Sequence, residues 1–208
     1  MADKNKLIIF GSAGTAVEVK EIIKTCYPNK FSAVKVIFYE EDFVEKNNLT
    51  TDFSKSEKPH FIAAMADYKF RNICCNHAEK LGMIPTTIIH PSAVVFKSAS
   101  IGVGSYIGAN VTISSDAKVS KHCMININAT LGHHAELAEH VIVLPGARVS
   151  GNVKIGKASL IGSNAFLFQG ITIGEHNLVD ALTYIDKDLP KKMISSSKQT
   201  KSFRRISL

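Results

Sequence analysis

A chain of 208 residues, 45 % of them hydrophobic, is long enough for one large or two small domains. Its formal charge of +7 sits mostly at one end: residues 186–208 carry a net +5 and leave +2 for the other 185. With no basic stripe interleaved with aromatics elsewhere, a nucleic-acid partner is disfavoured. No apolar run reaches membrane-spanning length and no signal-peptide pattern occurs; Cys26, Cys74, Cys75 and Cys123 show neither CxxC nor Cys/His ligand spacing. The expectation is a cytoplasmic protein with reduced thiols, no membrane insertion and no metal.

The first elements alternate strand and helix. Leu7-Ile8-Ile9-Phe10 is a buried-strand run, Gly11-Ser12-Ala13-Gly14 a turn, and Ala16 to Thr25 has helical spacing. Val34 to Tyr39 reads as a second strand, Phe61-Ile62-Ala63-Ala64 as a third, and Lys69 to Leu81 as a helix ending at Gly82. Such alternation implies a small parallel α/β domain over residues 1–84. The Gly11 to Gly14 turn follows a strand and opens a helix, where backbone N–H groups and the helix dipole hold phosphate. It lacks the complete G-x-G-x-x-G pattern, so a glycine-rich turn without a ligand stands beside that reading. If phosphate binds there, Glu40 at the end of the second strand is placed to accept a hydrogen bond from a sugar or ribose hydroxyl.

Thr86, Ile88 and Ile89 lead through His90-Pro91 into text of another kind. From Ile89 to Ile185 every sixth residue is aliphatic, for seventeen consecutive positions. A helix repeats near 3.6 and a half-buried strand at 2, so a period of six indicates a solenoid of short strands and turns over 85–185. The residue two before each aliphatic one is small or compact (Ala93, Ala99, Ser105, Ala117, Cys123, Ala129), giving two inward positions per strand. Glycine often follows the aliphatic residue, as at Gly102, Gly132 and Gly156, and is expected to supply a sharp, positive-φ corner. Three hexads then close one triangular coil, and about five coils fit before a basic, serine-rich tail over 186–208, which is expected to be solvated.

Function comes from what departs from this repeat. The densest polar cluster is Asn126-Ile127-Asn128-Ala129-Thr130-Leu131-Gly132-His133-His134. An eighteen-residue coil stacks His133 between Ser115 and Gly151, so open space is expected beside its ring. A histidine titrates near neutrality and can act as a general base. A solvent-exposed turn histidine without a role is the plainer alternative.

These features together resemble the hexapeptide-repeat acyltransferases, in particular the two-domain family of sialic acid O-acetyltransferases and nucleotide-linked 4-amino-sugar N-acetyltransferases. The resemblance runs from about residue 5 to 185. Its carriers are the Gly11 to Gly14 turn, the junction Ile89-His90-Pro91-Ser92-Ala93, Ile125-Asn126 through His133, and Pro145-Gly146-Ala147 followed by Gly151-Asn152-Val153-Lys154-Ile155-Gly156. It implies a Rossmann-like substrate-binding domain followed by a left-handed parallel β-helix. It further implies acetyl-CoA as co-substrate without a metal, and a homotrimer with each active site between two subunits. Carried over position by position, His133 matches the family's catalytic base and Asn126 a polar active-site position. Ile142, Gly151, Ser163 and Ala181 match positions lining the acetyl-CoA groove. The substrate-binding turn corresponds to Gly11, Ser12, Ala13, Gly14 and Thr15, with Glu40 and Ala66 beside it.

This chain departs from the family's pattern in several places, and the family's G-x-P-A-K ending is absent. His134 stands where the family has Asp or Glu after the catalytic histidine, Thr15 where it has histidine, and Ala66 where it has glycine. Val179-Asp180-Ala181-Leu182 replaces a glycine-rich last coil. The resemblance implies N-acetylation of an amino sugar, nucleotide-linked, for bacterial-type surface glycan synthesis. The alternatives are O-acetylation of a sugar such as sialic acid and a non-catalytic trimeric scaffold.

Overall fold

The computed structural model describes residues 6–11, 13–38 and 58–197. Alternating strands and helices near the amino terminus form β1 (Lys6–Gly11), α1 (Ala13–Cys26), β2 (Ala33–Phe38), β3 (His60–Ala64), α2 (Tyr68–Lys80) and β4 (Ile84–Pro85). The strands make one parallel sheet in the order β2-β1-β3-β4. Period-2 pleating splits β1 between two cores: Ile8 and Phe10 pack with Phe61, Cys74 and Cys75, whereas Leu7 and Ile9 pack with Ala16, Val19 and Ile23 of α1. Helix α2 starts where the Asp67 carboxylate accepts the Phe70 N–H at 3.2 Å. It ends before Gly82, whose φ of 75° takes the left-handed position after a helix.

From β5 (Ile88–Ile89) to β22 (Ile194–Ser195) the chain is a parallel β-helix of two-residue strands. It has three faces. The first contains the strands at Ile88, Tyr106, Met124, Ile142, Leu160, Leu178 and Ile194; the second those at Val94, Thr112, Thr130, Arg148, Phe166 and Tyr184; the third those at Ser100, Lys118, Glu136, Lys154 and Thr172. Register confirms eighteen residues per coil, Thr130 pairing with Thr112 below and Arg148 above. The aliphatic column lies inside, with the small residues two before it.

Two expectations change here. Left-handed φ falls three residues after the aliphatic position rather than on the glycine directly after it. Asn110, Asp116, His122, Asn128, His134, His140, Asn152, Asn164 and His176 all have φ between 54° and 60°, the residue types that tolerate this region best after glycine. The glycines meet a different demand, close approach: a Cβ on Gly132 would lie 2.6 Å from the Ser150 carbonyl carbon in the next coil. The tail also starts later than composition suggested. Leu189 bridges to Ile173, and Ile194–Ser195 pairs with Leu178–Val179, so the stack continues through the first part of the basic segment. Residues 198–208 lie outside the described residues.

The α/β unit sits on the first face. Ile88, Tyr106, Met124 and Ile142 point outward from the coil and join Leu7, Ile9, Ala16, Val19 and Ile23 in one core. Arg71 of α2 is buried in the same junction and donates to the carbonyls of Ala63 (2.6 Å), Met65 (3.3 Å) and His122. Beside it, the His122 and His140 rings stack at 5.1 Å, and His122 Nε2 lies 2.8 Å from Glu79 Oε1.

Burial, helped by the nearby Arg71, His122 and Lys157 charges and opposed by Glu139, pushes the His140 imidazole down to about 4. His122 is lowered in the same direction, burial outweighing the neighbouring Glu79 carboxylate that raises it. Tyr68 of α2 and His176 of a later coil complete the surroundings. In the unfolded chain these imidazoles titrate near 6.5, so between that value and about 4 the unfolded state holds protons that the folded state refuses. Stability is therefore full above about pH 6.5 and declines as pH falls toward 4. Urea midpoints taken from pH 7 to 4.5 should fall, and His140→Phe should flatten the fall; equal slopes in both proteins would contradict this origin.

Candidate active site

At the carboxyl edge of the α/β sheet the structure brings together Gly11, Ala13, Gly14, Thr15 and Ala66. Gly11 pairs with Ala64 in register, and a Cβ on it would run into the Ala64 carbonyl oxygen and lie 2.6 Å from the Ala16 Cβ. Ala13 opens α1, Gly14 and Thr15 follow in its first turn, and Ala66 is exposed between β3 and α2. No acidic residue stands in the first turn of α1, so its unpaired N–H groups present positive potential. Ser12 and Glu40 lie outside the described residues.

In the coil, His133 and His134 form the turn after the strand Thr130–Leu131 (β12), at the corner between the second and third faces. Backbone bonds lock this turn: the His134 N–H donates to Ser115 O at 3.0 Å, and the His133 carbonyl accepts from Asn152 N–H at 2.8 Å. The His133 ring folds over Gly151. A Cβ on that glycine would lie 2.5 Å from Nε2 and 2.6 Å from Cε1. The space expected beside the ring is thus filled by the ring itself. His133 Nδ1 is 3.2 Å from His134 Nδ1, with the two rings nearly perpendicular at 84°. His134 Nε2 in turn faces Asp116 Oδ2 at 3.8 Å.

The remaining coil residues lie elsewhere. Asn126 is nearly buried at the corner between the first and second faces, and its Nδ2 donates to Val143 O at 3.1 Å. Ser163 and Ala181 occupy turns on that same corner. Ile142 corrects an expectation: its side chain is 1 % exposed in the core shared with α1 and so lines no open groove. Between the two corners, the second face carries a groove of about 620 Å³ bordered by Thr112, Asn128, Thr130, Arg148, Ser163 and Asn164. A single chain therefore puts His133 and Gly151 on one edge of this face, and Asn126, Ser163 and Ala181 on the other.

No protein-family profile matches the chain. Over 114 residues it is 31 % identical to GDP-perosamine N-acetyltransferase of Escherichia coli O157:H7, covering 55 % of this chain and 52 % of that protein. The chain spans about half the length of the curated relatives it matches. Among solved structures, the acetyltransferase domain of PglB from Neisseria gonorrhoeae FA1090 is 26 % identical with a TM-score of 0.80, covering 91 % of this chain and 95 % of that one. Its complex with acetyl coenzyme A gives 0.79. A mutant perosamine N-acetyltransferase from Caulobacter crescentus, bound to CoA and GDP-perosamine, shares the fold at 24 % identity and a TM-score of 0.76, covering 91 % of this chain and 92 % of that one.

In sequence and fold the chain is thus similar to hexapeptide-repeat, left-handed β-helix acetyltransferases. Beside the residues that resemblance to these acetyltransferases singled out, the structure adds Asp116 and Arg148. Both were findable from the eighteen-residue register, since Asp116 is one coil below His134 and Arg148 one coil above Thr130. Among the described residues no group of three or more His, Cys, Asp or Glu side chains is arranged to hold a metal ion, and no helix is long and apolar enough to cross a membrane.

Proposed function

We propose that this chain is an acetyl-CoA-dependent N-acetyltransferase acting on a nucleotide-linked amino sugar, in the cytoplasm, for bacterial-type surface glycan synthesis. The observation that carries the reading is the His133 imidazole held over Gly151 at a locked corner turn. The relatives' chemistry supports it, GDP-perosamine N-acetylation by name in one and acetyl coenzyme A bound in another. In this reading residues 1–84 are a Rossmann-like substrate-binding unit. The turn Gly11 to Thr15, with Glu40 and Ala66, is assigned to binding the nucleotide and sugar, and the N-terminus of α1 to the phosphates. The coil from residue 85 carries acyl transfer, and the basic segment follows it.

His133 removes a proton from the sugar amine as nitrogen attacks the thioester carbonyl. The C–N bond forms, the oxyanion is stabilised at the Gly151 N–H, and as the oxyanion collapses the C–S bond breaks, the proton held by His133 passing to the departing sulfur to give CoA thiol. Asn126, Ser163 and Ala181 serve the acetyl-CoA side. Because they lie across the second face from His133, a complete site draws on the neighbouring copy in a homotrimer, joining one corner of each.

The test is direct. The purified protein is incubated with acetyl-CoA and GDP-perosamine, and with an analogue carrying hydroxyl in place of the amine. One acetyl group on the amine, with stoichiometric thiol release, is expected. Acetylation of the hydroxyl analogue alone would move the reading to O-acetylation. A folded trimer that neither reacts nor gains thermal stability with acetyl-CoA would be a scaffold.

A further inference from the structure

A general base works only if its free lone pair points at the substrate, and for an imidazole that is decided by where the other ring proton goes. In this site the partner of His133 is a second imidazole, which can donate or accept and so fixes nothing alone. The eighteen-residue register provides what is missing. Asp116 and His134 occupy the same left-handed corner position in successive coils, each with φ of 58°, so their side chains leave the wall one above the other. The Asp116 turn is itself tied down, its N–H donating to Ser98 Oγ at 3.0 Å.

We infer that Asp116 is a positioning residue for His133, acting through His134; this rests on His133 being the base. A carboxylate only accepts, so the 3.8 Å approach of Asp116 Oδ2 favours a proton on His134 Nε2. His134 Nδ1 is then a lone pair, and the 3.2 Å contact makes His133 Nδ1–H the donor. The lone pair of His133 is left on Nε2, the atom lying over Gly151. When that nitrogen takes the amine proton, the positive charge is favoured by the carboxylate at the far end of the chain of three. The other neighbours do not compete. The coil above offers Gly151 and Asn152, which carry no titratable group. Glu136, two residues beyond His134, is held by Lys118 at 3.1 Å, and Arg148 is on the second face. Lys97 is the one cation on the same corner in the coil below Asp116.

Asp116→Asn keeps the shape and removes the charge. It is expected to lower kcat/KM about tenfold, the usual scale for a residue that orients another, with KM for acetyl-CoA unchanged. The acidic limb of the pH profile should move to lower pH, because an imidazole without its carboxylate loses protons more readily. Adding His134→Glu to Asp116→Asn puts a carboxylate directly beside His133 and should restore both rate and limb. Nitrogen-15 NMR of the histidines gives an answer independent of turnover: His133 should carry its proton on Nδ1 in the native protein and a mixture of tautomers in Asp116→Asn. If His133→Ala abolishes turnover while Asp116→Asn leaves limb and tautomer unchanged, the positioning role is wrong and the base stands. If His133→Ala retains turnover, the base itself is wrong.

Discussion

Alanine at position 133 is expected to lower turnover about 10²–10⁴-fold, the range associated with loss of a general base, while fold and acetyl-CoA affinity persist. The ring is exposed and its backbone bonds are independent of the side chain, so the substitution subtracts chemistry rather than structure. A companion separates presence from placement. Gly151→Ala leaves His133 intact but demands space at 2.5 Å from Nε2, and the ring must swing away. Misplacement by about an ångström costs on the order of 10²-fold, so Gly151→Ala should resemble His133→Ala in rate with little further loss when the two are combined. Steady-state kinetics on the two single variants and the double variant measure this. Full activity in Gly151→Ala would mean that the ring works from another position.

The second large effect concerns stability. Arg71 is 0 % exposed and its guanidinium satisfies the carbonyls of Ala63, Met65 and His122, two from the α/β unit and one from the coil. Arg71→Met fills similar volume but supplies no donors. Each buried carbonyl left without a partner costs about 1–3 kcal/mol, so a loss of about 3 kcal/mol or more is expected in urea unfolding. Lysine should recover only part, since an ammonium cannot span three fixed acceptors as a planar fork does. A change under about 0.5 kcal/mol, the scale of ordinary surface substitutions, would contradict this account.

The coil was legible because its signal is redundant: each inward aliphatic position, from Ile89 to Ile185, repeats the same physical demand. The α/β elements other than β4 were legible to within about three residues, β1 as a continuous apolar run and α1 by its helical spacing. What escaped lies in the outward positions. Ile142 was carried over from the resemblance as a groove position, yet Ile88, Tyr106, Met124 and Ile142 form an apolar column on one outer face, a period of eighteen that marks a covered wall. The corner geometry escaped because glycine is the habitual sign of positive φ, whereas here only Gly104, Gly146 and Gly170 take that corner position and Asn, Asp and His hold most of the others, with Ala158 and Leu182 among them. His134 therefore stood out only as a departure from the family's pattern, and Asp116 was not singled out at all. Their relation exists only between coils, at a separation that no local window contains.

The shared core between α1 and the first face also limits how this architecture can be inherited. A recombination that exchanged the amino-terminal unit alone would strip cover from Ile88, Tyr106, Met124 and Ile142 and leave the Arg71 partners behind. Under the function proposed above, new substrate specificities would then arise by point changes along the carboxyl edge, at positions such as Thr15 and Ala66. The alternative is to transfer both units as one heritable block.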